Sequence, residues 1–144
     1  MYIEQTHDIN VEVFPEFVSK EFSGDHYYYI YSYTVKVTNN RSSSCQLMSR
    51  HWIIRDGKGH EEHVIGDGVV GKQPIILAGD SFTYTSGCPL VTPTGNMRGK
   101  FYMNGPNDEE FEIKIPLFFL RPNEDTQPTL RKSYKSQYQS SPLS

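Results

Sequence analysis

Between Tyr27 and Asn40 the odd-numbered residues Tyr29, Tyr31, Tyr33, Val35 and Val37 form an unbroken apolar row, while Lys36 and Thr38 have the opposite parity. A period of two marks a strand with one buried face, and β-branched and aromatic side chains suit a pleated surface. The alternation recurs down the chain. Phe82 and Tyr84 oppose Thr83 and Thr85; Met97, Gly99, Phe101 and Met103 oppose Arg98, Lys100 and Tyr102; Phe111, Ile113 and Ile115 oppose Glu112 and Lys114. Further strands are expected over residues 9–18, 45–55, 60–65 and 75–77. Pro15 cannot donate to a ladder, which places the first of these at a sheet edge with a break or bulge at the proline.

Turn chemistry separates these runs. Asn39-Asn40-Arg41-Ser42-Ser43 offers side chains that bond to nearby backbone, and Asp56-Gly57-Lys58-Gly59 reads as a hairpin with a primed Asp-Gly turn. Ala78-Gly79-Asp80 and Asn104-Gly105-Pro106-Asn107-Asp108 are further turns, and Pro89, Pro93 and Gly95 punctuate a loop. No segment shows a helical period. The expectation is an all-β chain, as a closed barrel or, by preference, a two-sheet sandwich with Trp52 and the Tyr33 row in its core.

With 144 residues, one domain over 1–120 suffices. From Arg121 the composition turns to Pro, Ser, Gln, Asn and Lys, so 121–144 is expected to be a flexible tail, with Tyr134 and Tyr138 spaced to share a helix face on a partner. A formal net charge of −3 argues against nucleic acid. The absence of a long apolar run argues against a membrane span, and the N-terminus lacks a leader-like layout, so a cytoplasmic location is expected. Cys45 and Cys88 are expected to be reduced thiols.

Gly66-Asp67-Gly68-Val69-Val70-Gly71 spells a dinucleotide-binding loop, but the next residues, Lys72-Gln73-Pro74 and Ile75-Ile76-Leu77, read as a strand where that motif needs a helix N-terminus. Three readings stand: an anion-binding backbone nest helped by Lys72, a structural loop whose glycines permit positive φ, and a protein-binding projection that exposes valine. Arg50 shares its parity with Trp52 and Ile54, so it either turns inward to hold a loop carbonyl or carboxylate or is turned outward by a bulge. His60 and His63 are spaced to leave a strand on opposite faces; His51 could complete a pair only in a favourable register. Ser86, Cys88 and His51 make no recognisable nucleophile constellation.

Tyr33-Thr34-Val35, Gln46-Leu47, Arg50-His51-Trp52, Gly66 to Gly71, Gln73-Pro74, Tyr84-Thr85-Ser86-Gly87, Gly95-Asn96-Met97-Arg98-Gly99 and Ile115-Pro116, in this order, resemble the ApaG (CorD) family over residues 9–120. The resemblance implies an immunoglobulin or fibronectin type III-like antiparallel sandwich. It brings no catalytic residue set. It implies protein binding by analogy with related domains, and an association by name with diadenosine tetraphosphate metabolism and with cobalt and magnesium resistance.

The function expected from this reading is a non-enzymatic protein-interaction module without cofactor or metal, contacting its partner through Gly66, Asp67, Gly68, Val69, Val70, Gly71 and Arg50, with Tyr28 and Tyr102 as aromatic contacts. Homodimerisation through the edge strand at residues 9–18 is a further expectation. The alternative is a protein that binds a pyrophosphate nucleotide or divalent metal, or hydrolyses diadenosine tetraphosphate.

Overall fold

A computed structural model describes residues 1–122; the expected helix face at Tyr134 and Tyr138, like the tail from residue 123 onward, lies outside the described residues. Among the described residues nine strands run in chain order: β1 (Tyr2–Thr6), β2 (Ile9–Ser23), β3 (His26–Asn39), β4 (Cys45–Asp56), β5 (Glu61–Asp67), β6 (Ile75–Ile76), β7 (Ser81–Leu90), β8 (Gly95–Asn104) and β9 (Glu110–Leu120). They form two antiparallel sheets, ordered β1-β2-β3-β7 and β5-β4-β8-β9, with β6 added on β4. This is the expected sandwich. One single-turn 3-10 helix at Pro106–Asp108 interrupts the strands.

The tyrosine row supplies one inner face: Tyr31, Tyr33, Val35 and Val37 are fully buried. Trp52 answers from the other sheet, its ring edge-on to Tyr33 at 5.2 Å, to Phe118 at 5.9 Å and to Phe101 at 6.3 Å. Edge-to-face packing lets the positive rim of one ring meet the negative face of the next, adding to the area these side chains remove from water. At one end of the core the fully buried Asn39 fixes two loops. Its amide nitrogen donates to the Ser43 carbonyl (3.0 Å) and the Ile76 carbonyl (2.9 Å), and its oxygen accepts from the Arg41 N–H (2.9 Å).

Several expectations need correction. The strand at residues 9–18 is at an edge only in its second half: β1 pairs with it from Ile9 to Val13, β3 pairs along its other side, and from Phe14 onward no strand among the described residues covers the first side. Pro15 lies past the end of β1, where a missing donor on that side is harmless, and the bulge falls between Phe17 and Ser19 instead. The edge on which the expected dimer rests is therefore confined to the part of β2 from Phe14 onward. β1 itself went unread because the turn joining it to β2, His7-Asp8, takes φ of +50° and +62° without a glycine. The hairpin at Asp56 is real, but its left-handed residue is Gly59 (φ +88°), not Gly57. The Asp56 carboxylate accepts the Lys58 and His60 amides at 2.8 and 3.0 Å, giving a three-residue loop rather than a primed Asp-Gly turn. Pro89 lies within β7, which continues to Leu90.

Candidate functional site

Two features of the second sheet are candidates, one at the glycine hexapeptide and one on the sheet's solvent face. Gly66 and Asp67 are the last residues of β5, opposite Arg50 and Ser49 of β4. A bulge at Met48, between Leu47 and Ser49, reverses the phase of β4, so Cys45 and Leu47 point inward before it and Trp52 and Ile54 after it. Arg50 takes the parity of Trp52. Its guanidinium donates to the Asp67 carbonyl at 2.9 Å and the Gly68 carbonyl at 3.3 Å, and it lies so close over Gly66 that a Cβ there would sit 2.9 Å from Nη1. The loop-carbonyl role is the one the structure shows. Burial raises the Tyr84 phenol well above its ordinary pKa, with Tyr33 adding to the shift and the Arg50 charge opposing it.

Beyond β5 the chain makes a tight reversal. Val69 and Lys72 exchange backbone hydrogen bonds of 2.8 and 2.9 Å around Val70 (φ +42°) and Gly71 (φ +78°). Two successive positive φ values define a primed turn, and a β-branched residue rarely takes the first. The Gly68 N–H donates to the Met48 carbonyl at 2.8 Å. Thus the amides of Gly68, Val69 and Lys72 are committed within the protein, and β6 comes next, with no helix at Gly71. Amides already spent on carbonyls cannot converge on an anion. The projection reading also needs correction, because Val69 is fully buried and Val70 packs against the core. Hydrophobic burial wins over exposure here, since both valines lie against the sandwich.

Among the hydrolytic candidates, Ser86 and Cys88 lie buried on β7, and Ser86 Oγ has no hydrogen-bond partner among the described residues. Burial pushes the Cys88 thiol up to about 12, and burial also raises Cys45; both are unpaired. His51 belongs to the opposite, outward parity of β4, so the sequence candidates do not assemble. The register instead brings His51 to His63, Nε2 to Nδ1 at 2.8 Å, while His60 turns to the Asp56 carboxylate at 3.4 Å. Among the described residues no group of three or more His, Cys, Asp or Glu could hold a metal.

A family profile described as ApaG domain matches residues 19–105, from within β2 to the end of β8. The chain belongs to the ApaG family. It is 51 % identical over 120 residues to protein ApaG of Methylobacterium sp. (strain 4-46), covering 83 % of this chain and 92 % of that one. It is 45 % identical over 114 residues to protein ApaG of Bordetella pertussis, covering 79 % and 87 %. A crystal structure of a Bordetella pertussis protein matches with a TM-score of 0.76 at 44 % identity, over 81 % of this chain and 95 % of that one.

The solvent face of the second sheet in this ApaG chain went unrecognised in the sequence. Its parity there is that of His51, Ile53 and Arg55 on β4, Arg98, Lys100 and Tyr102 on β8, and Lys114 and Glu112 on β9. A second phase reversal, where Pro116 and Leu117 of β9 lie against Arg98 alone, brings Leu117 and Phe119 to the same side. The result is an open groove of about 400 Å³ with Ile53, Gly99, Ile115 and Leu117 along it and Arg98, Lys100, Lys114 and His51 around it. Tyr28 and Tyr102, the expected aromatic contacts, are only half-exposed. Exposed rings include Phe14, Phe119 and, at the tip of the β2–β3 hairpin, Phe22 and Tyr27, whose centroids lie 5.0 Å apart in a tilted pair. No helix among the described residues is long and apolar enough to cross a membrane.

Proposed function

We propose that this ApaG chain is a non-enzymatic protein-interaction module that docks its partner on the solvent face of the β5-β4-β8-β9 sheet. The observation that carries it is the apolar exposure on that face: Ile65 is 68 % exposed, Leu117 47 % and Phe119 39 %, with the groove between β4 and β9 inside the patch. Ile65 on β5 and Leu117 and Phe119 on β9 stand at the two edges of the sheet with β4 and β8 between them, and apolar side chains held on a rigid sheet offer area for burial at little ordering cost, which is what a protein interface uses. The hexapeptide and Arg50 support this face from behind, by fixing the end of β5, rather than touching the partner themselves. The nucleotide or hydrolase reading has less support, because the Gly68 and Val69 amides are engaged internally, no helix begins at Gly71, and the buried Ser86 lies away from the outward His51.

The test is affinity co-purification with the wild-type chain, an Ile65→Ser/Leu117→Ser variant and a Phe22→Ser variant, each confirmed as folded by circular dichroism. The expected result is loss of the wild-type partners by the first variant and their retention by the second. Retention by both removes the face as the contact. In parallel, ATP and diadenosine tetraphosphate with divalent cation are expected to leave the melting temperature unchanged, since a ligand that binds only the folded state must raise it.

A further inference from the structure

The groove in the proposed docking face carries charge of the opposite sign to the chain. Overall the chain is −3. On this face Arg55, Arg98, Lys100 and Lys114 stand with Glu61, Asp67, Glu110 and Glu112, but the groove itself is lined by Arg98, Lys100 and Lys114 and by no carboxylate. The register sets two of the cations side by side: Lys100 of β8 and Lys114 of β9 lie directly abreast, with the His51 imidazole of β4 on the other side of Lys100. Cross-strand neighbours have Cβ atoms roughly 5 Å apart, and like charges in that arrangement repel and destabilise a sheet. Lys100 and Arg98 have partners at the margins, Glu112 at 2.8 Å and Glu61 at 3.1 Å, but all four side chains are a third to a half exposed, so these pairs are weak and exchangeable. Lys114 is exposed and makes no ion pair among the described residues.

Apolar ground lies beside this row. Ile53, Ile115 and Leu117 line the groove between the cations. A small inorganic anion would meet the charges but leave the apolar lining and the neighbouring Ile65 and Phe119 wet. An extended segment with carboxylates next to aliphatic side chains would satisfy both, its acid bridging Lys100 and Lys114 and its apolar groups covering Leu117 and Ile53.

We infer that the partner of this face is a protein segment in which acidic and aliphatic side chains alternate, gripped by the Lys100–Lys114 pair over the Ile53–Leu117 groove. The inference rests on the protein-docking reading above and adds the chemistry of the partner. Two unrelated short peptides, one of alternating Glu and Leu and one of alternating Asp and Ile, serve as probes, each beside a counterpart with Gln or Asn for the acids. Binding to the full chain is followed by fluorescence anisotropy and by amide chemical-shift mapping.

The expected result is binding of the acidic peptides with shifts on β4, β8 and β9, weakened about tenfold by Lys100→Gln/Lys114→Gln and weakened by added salt. Equal binding of acidic and neutral peptides overturns the acidic partner while leaving a docking face intact. Failure of all four peptides to bind overturns the inference, and the co-purification result then stands or falls separately. Two further outcomes overturn it: tripolyphosphate moving these amides when no peptide does, which assigns the cations to a phosphate ligand, and the same amides shifting on dilution alone, which assigns the face to a second copy of the chain.

Discussion

Gly68 is where the sequence has least freedom. Its φ is +64°, and a Cβ would lie 2.2 Å from the Lys72 carbonyl oxygen, an approach that neither backbone can relieve without breaking the Val69–Lys72 pair. Gly71 also has a positive φ, +78°, but the space around it is open. The two glycines therefore separate conformational freedom from close approach. Gly68→Ala is expected to destabilise the fold by about 3 kcal/mol or more and Gly71→Ala by about 1 kcal/mol, measured by urea unfolding. Equal effects would show that φ alone sets the requirement. The spelling of the hexapeptide suggested phosphate chemistry, yet its glycines serve a turn and a packed crossing, with Arg50 drawn onto the Asp67 and Gly68 carbonyls. For Arg50 the sequence poses the alternatives, a loop carbonyl, a carboxylate or an outward turn at a bulge, because an Arg on the Trp52 parity must be paired if it is buried, and the structure selects the carbonyls.

At the level of strands, alternation revealed most of β3, β4, β7, β8 and β9, since one face of each lies against a core that tolerates only apolar side chains. Pairing was less legible. Register depends on turn geometry, and the His7-Asp8 reversal and the bulges at Met48 and Pro116–Leu117 have no strong residue signature. For that reason the sequence leaves the His51–His63 pair open and does not reveal the Lys100–Lys114 row, although every residue in them lies on an expected strand. The histidine pair has a pH consequence. Burial, then His63, then Lys100 lower the pKa of His51 below its ordinary 6.5. A group with a depressed folded pKa binds fewer protons folded than unfolded near that pH, so its contribution is complete above about 6.5 and is lost as pH falls through the folded value. Wild-type stability is expected to decline more steeply below pH 6.5 than that of His51→Gln, as read from urea midpoints at successive pH values. Parallel profiles would contradict the coupling.

For the molecule as a whole, the two buried thiols report on global opening. Cys88 is fully buried on β7 and its thiol is raised to about 12, so little of it is thiolate at pH 8 in the folded state. Modification by a thiol reagent is expected to be slow and to follow the unfolding equilibrium, accelerating in urea in step with the loss of strand signal. Fast modification in buffer would mean that β7 opens locally. The way the sandwich is closed bears on its synthesis. The Tyr2 ring lies 6.1 Å from that of Phe118, and the Lys114 amide donates to Thr6 Oγ1 at 3.1 Å, so the opening strand is sealed by the closing one. On a ribosome, the N-terminal hairpin must wait for β9 to emerge before its own inner side is covered. Translation therefore leaves the inner side of this hairpin exposed until β9 arrives, a reason for the stretch between them to be short.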